Sequence, residues 1–508
     1  MEDKEKLNNL LRTFVKGSVI FLVGMILSKL LTYSYRIVIA RNFGQEVYGL
    51  FSLAIMISTL FVTIFSLGFQ GGLLRFISLY RGKNEHEKIK SLLNYSSNIT
   101  LIASFFAGGL LFLLAKPLSL TVFHNSNLII YLQWFAAFLP IFIFAGFFHV
   151  ITLSYEKVGP YSFIGNILSP LVQLVFLFIF IFFGLKQDSI IFSYSLGFLS
   201  IFISSFLVCK LSIKKIFEKS TLKKEEKQDI SKKMVSYSWP IIFLGLTMSL
   251  FSWVDSFSIG YLKTASDVGV YNVAFILASL LLIIPSIFLQ IFLPIITKEY
   301  SNNNIHLIKD LSKQLGKWIF ILNLPILILM FFFPGTIINL LFGQDYISAQ
   351  NSLRLLSLGV FIYSLFQISE NLLSMAGKSK RILINLIIAT VFNTILNFIL
   401  IPKYGIEGAA FSTTMGYLLW GILSLLSANQ FTKIIPLKRD MIKIFLLSLI
   451  PTILLFYIRS KISLTLVNII IGGLLFVFSY FTIILLNNSF DKNDLMIIRS
   501  IKNKILNR

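Results

Sequence analysis

The segment FVKGSVIFLVGMILSKLLTYSYRIVIA, residues 14–40, is long and apolar enough to cross a lipid bilayer, yet it carries Lys29 and Arg36 in its interior. A helix needs roughly 20 predominantly apolar residues to span the hydrocarbon core. Stretches of this kind recur about 14 times between residues 14 and 486. Their hydrophobicity is continuous and does not alternate from residue to residue, which excludes a transmembrane β-barrel. The sequence therefore predicts an all-α integral membrane protein with about 14 transmembrane helices.

Composition and charge support the same class of protein. Of the 508 residues, 56% are hydrophobic and 13% are charged, whereas charged residues make up about 25% of a typical soluble domain. The net charge of +23 is unevenly distributed, because roughly 35 Lys and Arg residues fall on the side that holds both termini and about eight on the other. This bias predicts cytoplasmic termini. It also explains the positive charge by contact with membrane lipids, without a nucleic acid partner.

Residues suited to catalysis or metal binding are sparse. Cys209 is the single cysteine, and the four histidines form no metal-binding motif. A membrane-embedded glycosyltransferase or polymerase is an alternative class, but such an enzyme would place acidic groups in a large outer loop. The outer loops predicted here are short and hold few carboxylates. We therefore expect no metal, no cofactor and no enzymatic activity.

The chain contains an internal repeat at an offset of roughly 220 residues. The motif Tyr48-Gly49-Leu50-Phe51 aligns with Val268-Gly269-Val270-Tyr271, and His86 aligns with His306. An even number of spans separates equivalent positions, so the two halves have the same orientation, which is typical of parallel repeats around a central pathway. The predicted domains are an N-terminal six-helix bundle (1–209), a basic cytoplasmic connector (210–236), a C-terminal six-helix bundle (237–430), and helices 13 and 14 with a cytoplasmic tail (431–508).

A set of loop and helix-end motifs resembles the Wzx-like polysaccharide biosynthesis flippases of the multidrug/oligosaccharidyl-lipid/polysaccharide (MOP) exporter superfamily. The motifs are Phe43-Gly44, Tyr48-Gly49-Leu50-Phe51, Leu67-Gly68-Phe69, Gly71-Gly72-Leu73-Leu74-Arg75-Phe76, Tyr80-Arg81-Gly82 and Tyr404-Gly405-Ile406-Glu407-Gly408-Ala409-Ala410. The resemblance implies a MATE-like fold in which two pseudo-symmetric six-helix bundles form a V, with two extra C-terminal helices. It also implies translocation of an undecaprenyl-pyrophosphate-linked oligosaccharide between the leaflets of a bacterial cytoplasmic membrane. The sequence leaves open whether polysaccharide polymerase or assembly proteins are partners.

One face of the first span is cationic and aromatic. Lys29, Tyr33 and Arg36 lie on this face because they are separated by four and three residues. A charge at the centre of a spanning helix costs on the order of 3 kcal/mol, so we expect the face to line a polar cavity. We interpret the three residues as substrate-binding, with the cations holding a pyrophosphate or acidic sugars. The alternative interpretation is structural, with Lys29 paired to Glu370 or Arg36 paired to Asp255.

The tenth span carries a second polar stripe, in which Tyr363, Gln367 and Glu370 recur at helical spacing. Tyr363 and Gln367 are predicted to belong to the substrate-binding wall of the cavity. Asp255, in the seventh span, stands near the repeat position of Arg36. Asp255 and Glu370 are candidates for ion coupling, and the residues leave open whether the ion is H⁺ or Na⁺.

Other polar residues have both a functional and a structural interpretation. Arg75 is a candidate for substrate binding near a membrane face, where arginines also anchor helices at the interface. Asn393 and Asn397 share a face of the eleventh span, and we expect them to form hydrogen bonds between helices. Pro170 and Gln173 in the fifth span predict a kinked polar wall.

Three functions remain after this comparison of motifs and composition. The leading one is a flippase that works by alternating access. A MATE-type multidrug exporter is the nearest alternative, but cationic drugs would be repelled by Lys29 and Arg36. An enzyme is the least supported, for the reason given above.

Overall fold

The computed structural model describes residues 2–212, 218, 220–461 and 466–487, with side chains described within 24–211, 218, 220–457 and 471–487. Helices connected by short turns account for most of this part of the chain. The α-helices are α1 (Glu2–Phe65), α2 (Phe69–Gly82), α3 (His86–Pro117), α4 (Leu128–Ser154), α5 (Val158–Phe163), α6 (Ser169–Phe182), α7 (Asp188–Ser212), α8 (Lys224–Leu262), α9 (Ala265–Ser279), α10 (Ile283–Ser301), α11 (Ile305–Phe332), α12 (Pro334–Phe342), α13 (Gln350–Met375), α14 (Ser379–Thr432), α15 (Asp440–Lys461) and α16 (Leu466–Leu486).

Two of these helices each contain two of the predicted spans. α1 is interrupted at Gly44 (φ 80°, ψ 179°) and α14 at Gly405 (φ 57°, ψ −136°), in backbone conformations that favour glycine. Within the described residues, 11 helices are long and apolar enough to cross a membrane, and α16 contributes a shorter apolar segment, Ile471–Leu486. Dividing α1 and α14 at their glycine kinks and adding α16 recovers the 14 spans predicted from the sequence. The prediction of an all-helical membrane protein is confirmed.

The backbone repeats the internal symmetry of the sequence. Asn84 and Asn303 occupy equivalent turns and both are left-handed, with φ of 58° and 59°. Glu156 (φ 59°) and Gly377 (φ 70°) form a second equivalent pair. In all four turns the next amide donates to the carbonyl five residues before it, as in a helix-ending Schellman motif. The two halves therefore end equivalent helices by the same local geometry.

Contacts divide the chain into two compact units. Unit 1 comprises Met1–Val273, Phe342–Tyr346 and Thr390–Ser412, and unit 2 comprises Ala274–Leu341, Ile347–Ala389 and Thr413–Arg508. The domain boundaries expected from the repeat, at residues 209, 237 and 430, stay a prediction.

Unit 1 has an apolar core where α2, α3 and α4 meet the start of α8. Ile230 and Met234 of α8 lie in this core, as does Cys209 of α7. Just before α8, the Thr221 amide donates to Oε2 of Glu87 at 2.8 Å. Leu222, Ile230 and Met234 therefore attach the described part of the basic connector, residues 220–236, to unit 1, while most of its charged residues are exposed.

Equivalent glycines of the two repeats meet within unit 1. A Cβ atom on Gly49 would lie 1.7 Å from the Ala265 carbonyl oxygen, and one on Gly269 would lie 2.2 Å from the Gln45 carbonyl oxygen. Glycine at both positions is required by this close approach of two backbones. The contact holds the second part of α1 against α9.

In unit 2, buried polar groups join α11 to its neighbours. The Asn323 amide donates to the Leu281 carbonyl at 2.9 Å and to the Ser364 hydroxyl at 3.1 Å. The Tyr480 hydroxyl of α16 donates to the Ile321 carbonyl at 2.9 Å. Such bonds keep buried polar groups satisfied at helix interfaces, and the last one attaches the C-terminal helix pair to unit 2.

Candidate functional site

A cavity of about 240 Å³ lies inside unit 1, next to α1. Ser28, Thr32 and Arg36 contribute one stripe of α1, at successive spacings of four residues. Side chains of α6, α7 and the second part of α1 complete the wall. The lining residues are Ser28, Thr32, Tyr35, Arg36, Phe51, Ile55, Gly165, Ser169, Pro170, Gln173, Tyr194, Phe198 and Ile201.

A wider helical turn shapes the wall opposite α1. Residues Ile164–Leu168, between α5 and α6, form a π-helical turn, and Pro170 follows at the start of α6. A π turn adds a residue to the helical repeat and re-aims the side chains around it. The sequence predicts a kinked polar wall here, and the structure places Pro170 and Gln173 in the cavity lining. Asn166, one helical turn before Pro170, donates to the Ser162 hydroxyl at 3.1 Å and does not belong to the lining.

Arg36 is surrounded by neutral polar groups. Tyr33, Tyr48 and Tyr194 are close enough to interact electrostatically with its guanidinium. Among the described residues, no salt bridge to Arg36 or to Lys29 is formed. A guanidinium in a polar cavity, with no carboxylate of the protein beside it, is a suitable receptor for an anion from outside.

The neighbouring residue of α1 fixes the position of this helix. The Tyr35 hydroxyl is buried, donates to the Ile190 carbonyl at 3.1 Å and lies 3.0 Å from the Ser193 hydroxyl, both in α7. These contacts hold the Arg36 turn of α1 against α7. The geometry of the cavity is therefore set by a hydrogen-bonded helix pair.

Of the three residues predicted as one cationic face, Arg36 is the one that lines this cavity. Lys29 is exposed and Tyr33 is half-buried, and both are close enough to interact electrostatically with Arg36. Arg75 also lies outside the lining. It is exposed on α2, and its guanidinium stacks 4.3 Å from the ring centroid of Tyr237.

A second charged centre in unit 1 surrounds Asp255 of α8, which is 1% exposed. The Tyr271 hydroxyl donates to Oδ2 at 2.8 Å, and the Asn393 and Asn397 amides donate to Oδ1 at 3.2 and 2.8 Å. The two asparagines are one helical turn apart in α14, so they present both amides on the same face. The two asparagines were predicted to form hydrogen bonds between helices, and they do so with the Asp255 carboxylate. The alternative pairing of Asp255 with Arg36 does not form.

Two acceptors in this centre have no donor. The side-chain oxygens of Asn393 and Asn397 are buried and receive no hydrogen bond from the described residues. Leaving a buried acceptor unsatisfied costs roughly 1–3 kcal/mol. A carboxylate with two such amide oxygens beside it offers the oxygen ligands that hard cations prefer. Among the described residues, no group of three or more His, Cys, Asp or Glu side chains forms a metal site of the usual kind.

The third predicted centre lies in unit 2. The Tyr363 hydroxyl donates to Oε1 of Glu370 at 3.1 Å. Tyr363 is itself buried between Tyr417 and Trp420, with ring centroids 4.9 and 4.5 Å away. Gln367 and Glu370 are half-buried. Tyr363 therefore packs in a cluster of aromatic side chains and holds the Glu370 carboxyl.

Sequence reasoning missed several residues of these centres. Ser28 and Thr32 could have been found from their spacing to Arg36, whereas Tyr194 carries no signal before α7 is placed. Tyr271 was noted only as part of the repeat.

The chain was compared with known protein families and with known proteins. Residues 14–300 match the family described as "Polysaccharide biosynthesis protein", and residues 240–399 match the family described as "MatE". The chain is similar to an uncharacterized membrane protein, MJ1068, of Methanocaldococcus jannaschii, with 24% identity over 481 residues that cover 91% of this chain and 93% of the relative. It is also similar to the lipid II flippase MurJ of Bacillus subtilis, with 21% identity over 486 residues that cover 85% of this chain and 86% of the relative.

A solved structure of the lipid II flippase MurJ in an inward closed conformation shares the fold. Its TM-score to this chain is 0.69 at 18% sequence identity, and the match covers 96% of this chain and 100% of that one. The first family match alone includes more than half of the residues. The chain therefore belongs to the polysaccharide biosynthesis protein family.

Proposed function

We propose that the protein is a flippase that moves a lipid-linked oligosaccharide from the inner to the outer leaflet of a bacterial cytoplasmic membrane. The observation that carries the proposal is Arg36, a cation that lines a polar cavity and has no carboxylate partner among the described residues. A lipid-linked glycan has both parts that such a transporter must accommodate. Its polar head needs a polar cavity, and its tail stays in the lipid. Relatives described as polysaccharide biosynthesis proteins and as a lipid II flippase support this class of substrate.

We further propose that the specific substrate is an undecaprenyl-pyrophosphate-linked repeat unit, as in Wzx-like flippases. Lys29, Tyr33 and Arg36 contact the polar head of this molecule, and Tyr363 and Gln367 are further substrate-binding residues. Arg75, stacked on Tyr237, is oriented to meet a phosphate near the membrane surface. Alternating access moves the loaded site from one side of the membrane to the other. Cytoplasmic termini and cooperation with polysaccharide polymerase or assembly proteins belong to the same proposal.

Ion coupling is assigned to Asp255, with Glu370 as a second candidate. The unsatisfied amide oxygens of Asn393 and Asn397 support a bound cation, because each amide can turn its oxygen toward a positive charge next to Asp255. A proton on Asp255 would use the same acceptors through an O–H donor. H⁺ and Na⁺ are distinguished by measuring transport in vesicles with an imposed gradient of one ion at a time. Transport that responds to neither gradient would remove the coupling role.

The deciding experiment for the flippase uses a strain that lacks the gene. Surface glycan and undecaprenyl-linked intermediates are quantified, and the strain is complemented with wild type, Lys29→Ala or Arg36→Ala. In the deletion strain we expect intermediates to accumulate and surface glycan to disappear. The Arg36→Ala protein should reach the membrane but correct neither defect. Unchanged surface glycan in the deletion strain would contradict the proposal.

A MATE-type multidrug exporter is the second candidate. The match of residues 240–399 to the MatE family and the buried carboxylate of Asp255 within that region favour it, since carboxylates attract cationic drugs. Drug susceptibility of the deletion strain tests this function. Sensitivity to cationic drugs together with normal surface glycan would favour the exporter over the flippase.

A further inference from the structure

We propose that the cavity around Arg36 is a subsite for a single sugar ring that bears one carboxylate, and that the pyrophosphate of the substrate is held elsewhere. The inference rests on the proposed function and names one component of the substrate. It makes the protein selective for glycans that contain an acidic sugar. A uronic acid in the repeat unit is the simplest source of this chemistry, and a sugar with a free carboxylate on an ether-linked lactyl group is the other.

The size of the cavity is the first argument. Its volume is about 240 Å³, below the range of roughly 300–1,000 Å³ for sites that enclose drug-sized ligands. This space fits one sugar ring and is too small for an oligosaccharide. The remaining sugars must therefore lie outside this cavity.

The charge of the lining is the second argument. Arg36 is the one charged residue among those that line the cavity, and all other polar lining groups are hydroxyls or an amide. A single carboxylate balances one guanidinium and matches its planar pair of donors. A pyrophosphate carries more than one negative charge, and burying it beside one cation would leave charge uncompensated at a cost of several kcal/mol. Lys29 does not supply the second charge, because it is exposed and outside the lining.

The polar groups opposite Arg36 are the third argument. Gln173 and Ser169 are 8% and 3% exposed, and both line the cavity. Such groups are costly in an apolar membrane helix unless a ligand or water satisfies them. Ring hydroxyls are donors and acceptors at once, so they pair with both the amide and the hydroxyl.

An aromatic wall is the fourth argument. Phe51 and Tyr194 meet edge to face with centroids 5.4 Å apart, and Tyr194 lies 5.3 Å from Phe198. Sugar rings have an apolar C–H face and a polar edge. The wall receives the apolar face while Arg36, Gln173 and Ser169 receive the polar edge, which is the usual division of labour in a small-molecule site. A free phosphate or pyrophosphate has no surface suited to this wall.

The test measures ligand-induced thermal stabilisation of the full-length protein in nanodiscs. The probes are D-glucuronate, N-acetylmuramate, D-glucose and inorganic pyrophosphate at matched ionic strength. We expect stabilisation by at least one of the two carboxylated sugars, with a Kd at least about tenfold lower than that of D-glucose. Which of the two binds more tightly identifies the source of the carboxylate. Equal binding of glucose and glucuronate, or stronger binding of pyrophosphate, would overturn the proposal.

Three variants locate the binding. Arg36→Gln should lose the preference for the acidic sugar, whereas Lys116→Gln, at an exposed position of α3 outside the lining, should keep it. Gln173→Glu places a negative charge in the cavity and should weaken glucuronate binding about tenfold or more with a smaller effect on glucose. This last variant keeps the test decisive if Arg36→Gln is poorly folded. Glucuronate binding that survives both cavity variants would show that the site lies elsewhere.

The experiment separates this inference from the proposed function. Surface glycan in the deletion strain reports whether the protein is a flippase at all. Restored export together with pyrophosphate-selective binding would refute the acidic-sugar subsite and leave the flippase standing. If the deletion strain shows no export defect, the proposed flippase function is refuted. The subsite would then have no role in glycan export.

Discussion

Arg36 and Asp255 occupy nearly equivalent positions in the two repeats, but their charged groups lie in different environments. Arg36 faces a cavity among neutral hydroxyls, and no carboxylate pairs with it in the described chain. Asp255 is enclosed by three donors from its own protein, Tyr271, Asn393 and Asn397. The first charge is available to a ligand that arrives from outside. The second is bound into the fold, so any ion that uses it must rearrange contacts between helices.

The largest effect is expected when Asp255 is replaced by alanine. Three donors would lose their acceptor in a site that excludes water, and at roughly 1–3 kcal/mol for each orphaned group we expect a loss of about 4 kcal/mol in the free energy of unfolding. Thermal unfolding of the purified protein measures this. Ser258→Ala is the matched control, since the Ser258 hydroxyl is buried, has no hydrogen-bond partner among the described residues, and should cost little to remove. Equal stability of the two variants would show that the hydrogen bonds to Asp255 do not stabilise the fold.

Replacement of Arg36 by glutamine should give the reverse pattern. No ion pair is broken, so we expect the unfolding free energy to stay within about 1 kcal/mol of wild type. Glycan export should fall at least about tenfold, because a charge-assisted hydrogen bond to the substrate is lost. Export assays and thermal unfolding on the same samples check both halves of the prediction. Normal export, or severe unfolding, would contradict the view that this charge is reserved for a ligand.

A smaller effect is expected for Tyr271→Phe, which removes one of the three donors to Asp255. A single hydrogen bond to a charged group contributes about 1.5–3 kcal/mol, and the two remaining asparagines limit the loss to about 1.5 kcal/mol. A stability cycle with Asn397→Ala measures whether the two donors act together. Strict additivity would mean that the donors satisfy Asp255 independently.

The smallest effect is expected for Lys29→Gln. Lys29 is exposed and forms no salt bridge among the described residues, so the unfolding free energy should change by less than about 0.5 kcal/mol. A small rise in stability is the expected direction, because Lys29 and Arg36 repel each other on the same helix. The size of any loss in export tells how much Lys29 contributes to substrate binding compared with Arg36.

The sequence predicted the helices well because each span must satisfy its own backbone and face lipid, which leaves a clear pattern of apolar residues. The repeat was readable for a related reason, since glycine and asparagine mark turns that need left-handed backbone, as at Asn84 and Gly377. The partners of the internal charges were not readable. The rotation of helices that are distant in sequence decides which hydroxyls face Arg36. It also decides whether Tyr271 reaches Asp255.

The single cysteine of the chain has a practical consequence. Cys209 is fully buried, with its thiol 3.7 Å from the Phe148 carbonyl oxygen. A membrane-impermeant maleimide should therefore leave the wild-type protein unlabelled, and any cysteine introduced at an exposed loop position would react alone. Accessibility scanning can be done on the natural sequence without first building a cysteine-free background. Labelling of intact cells at successive loops would then assign each turn to one side of the membrane.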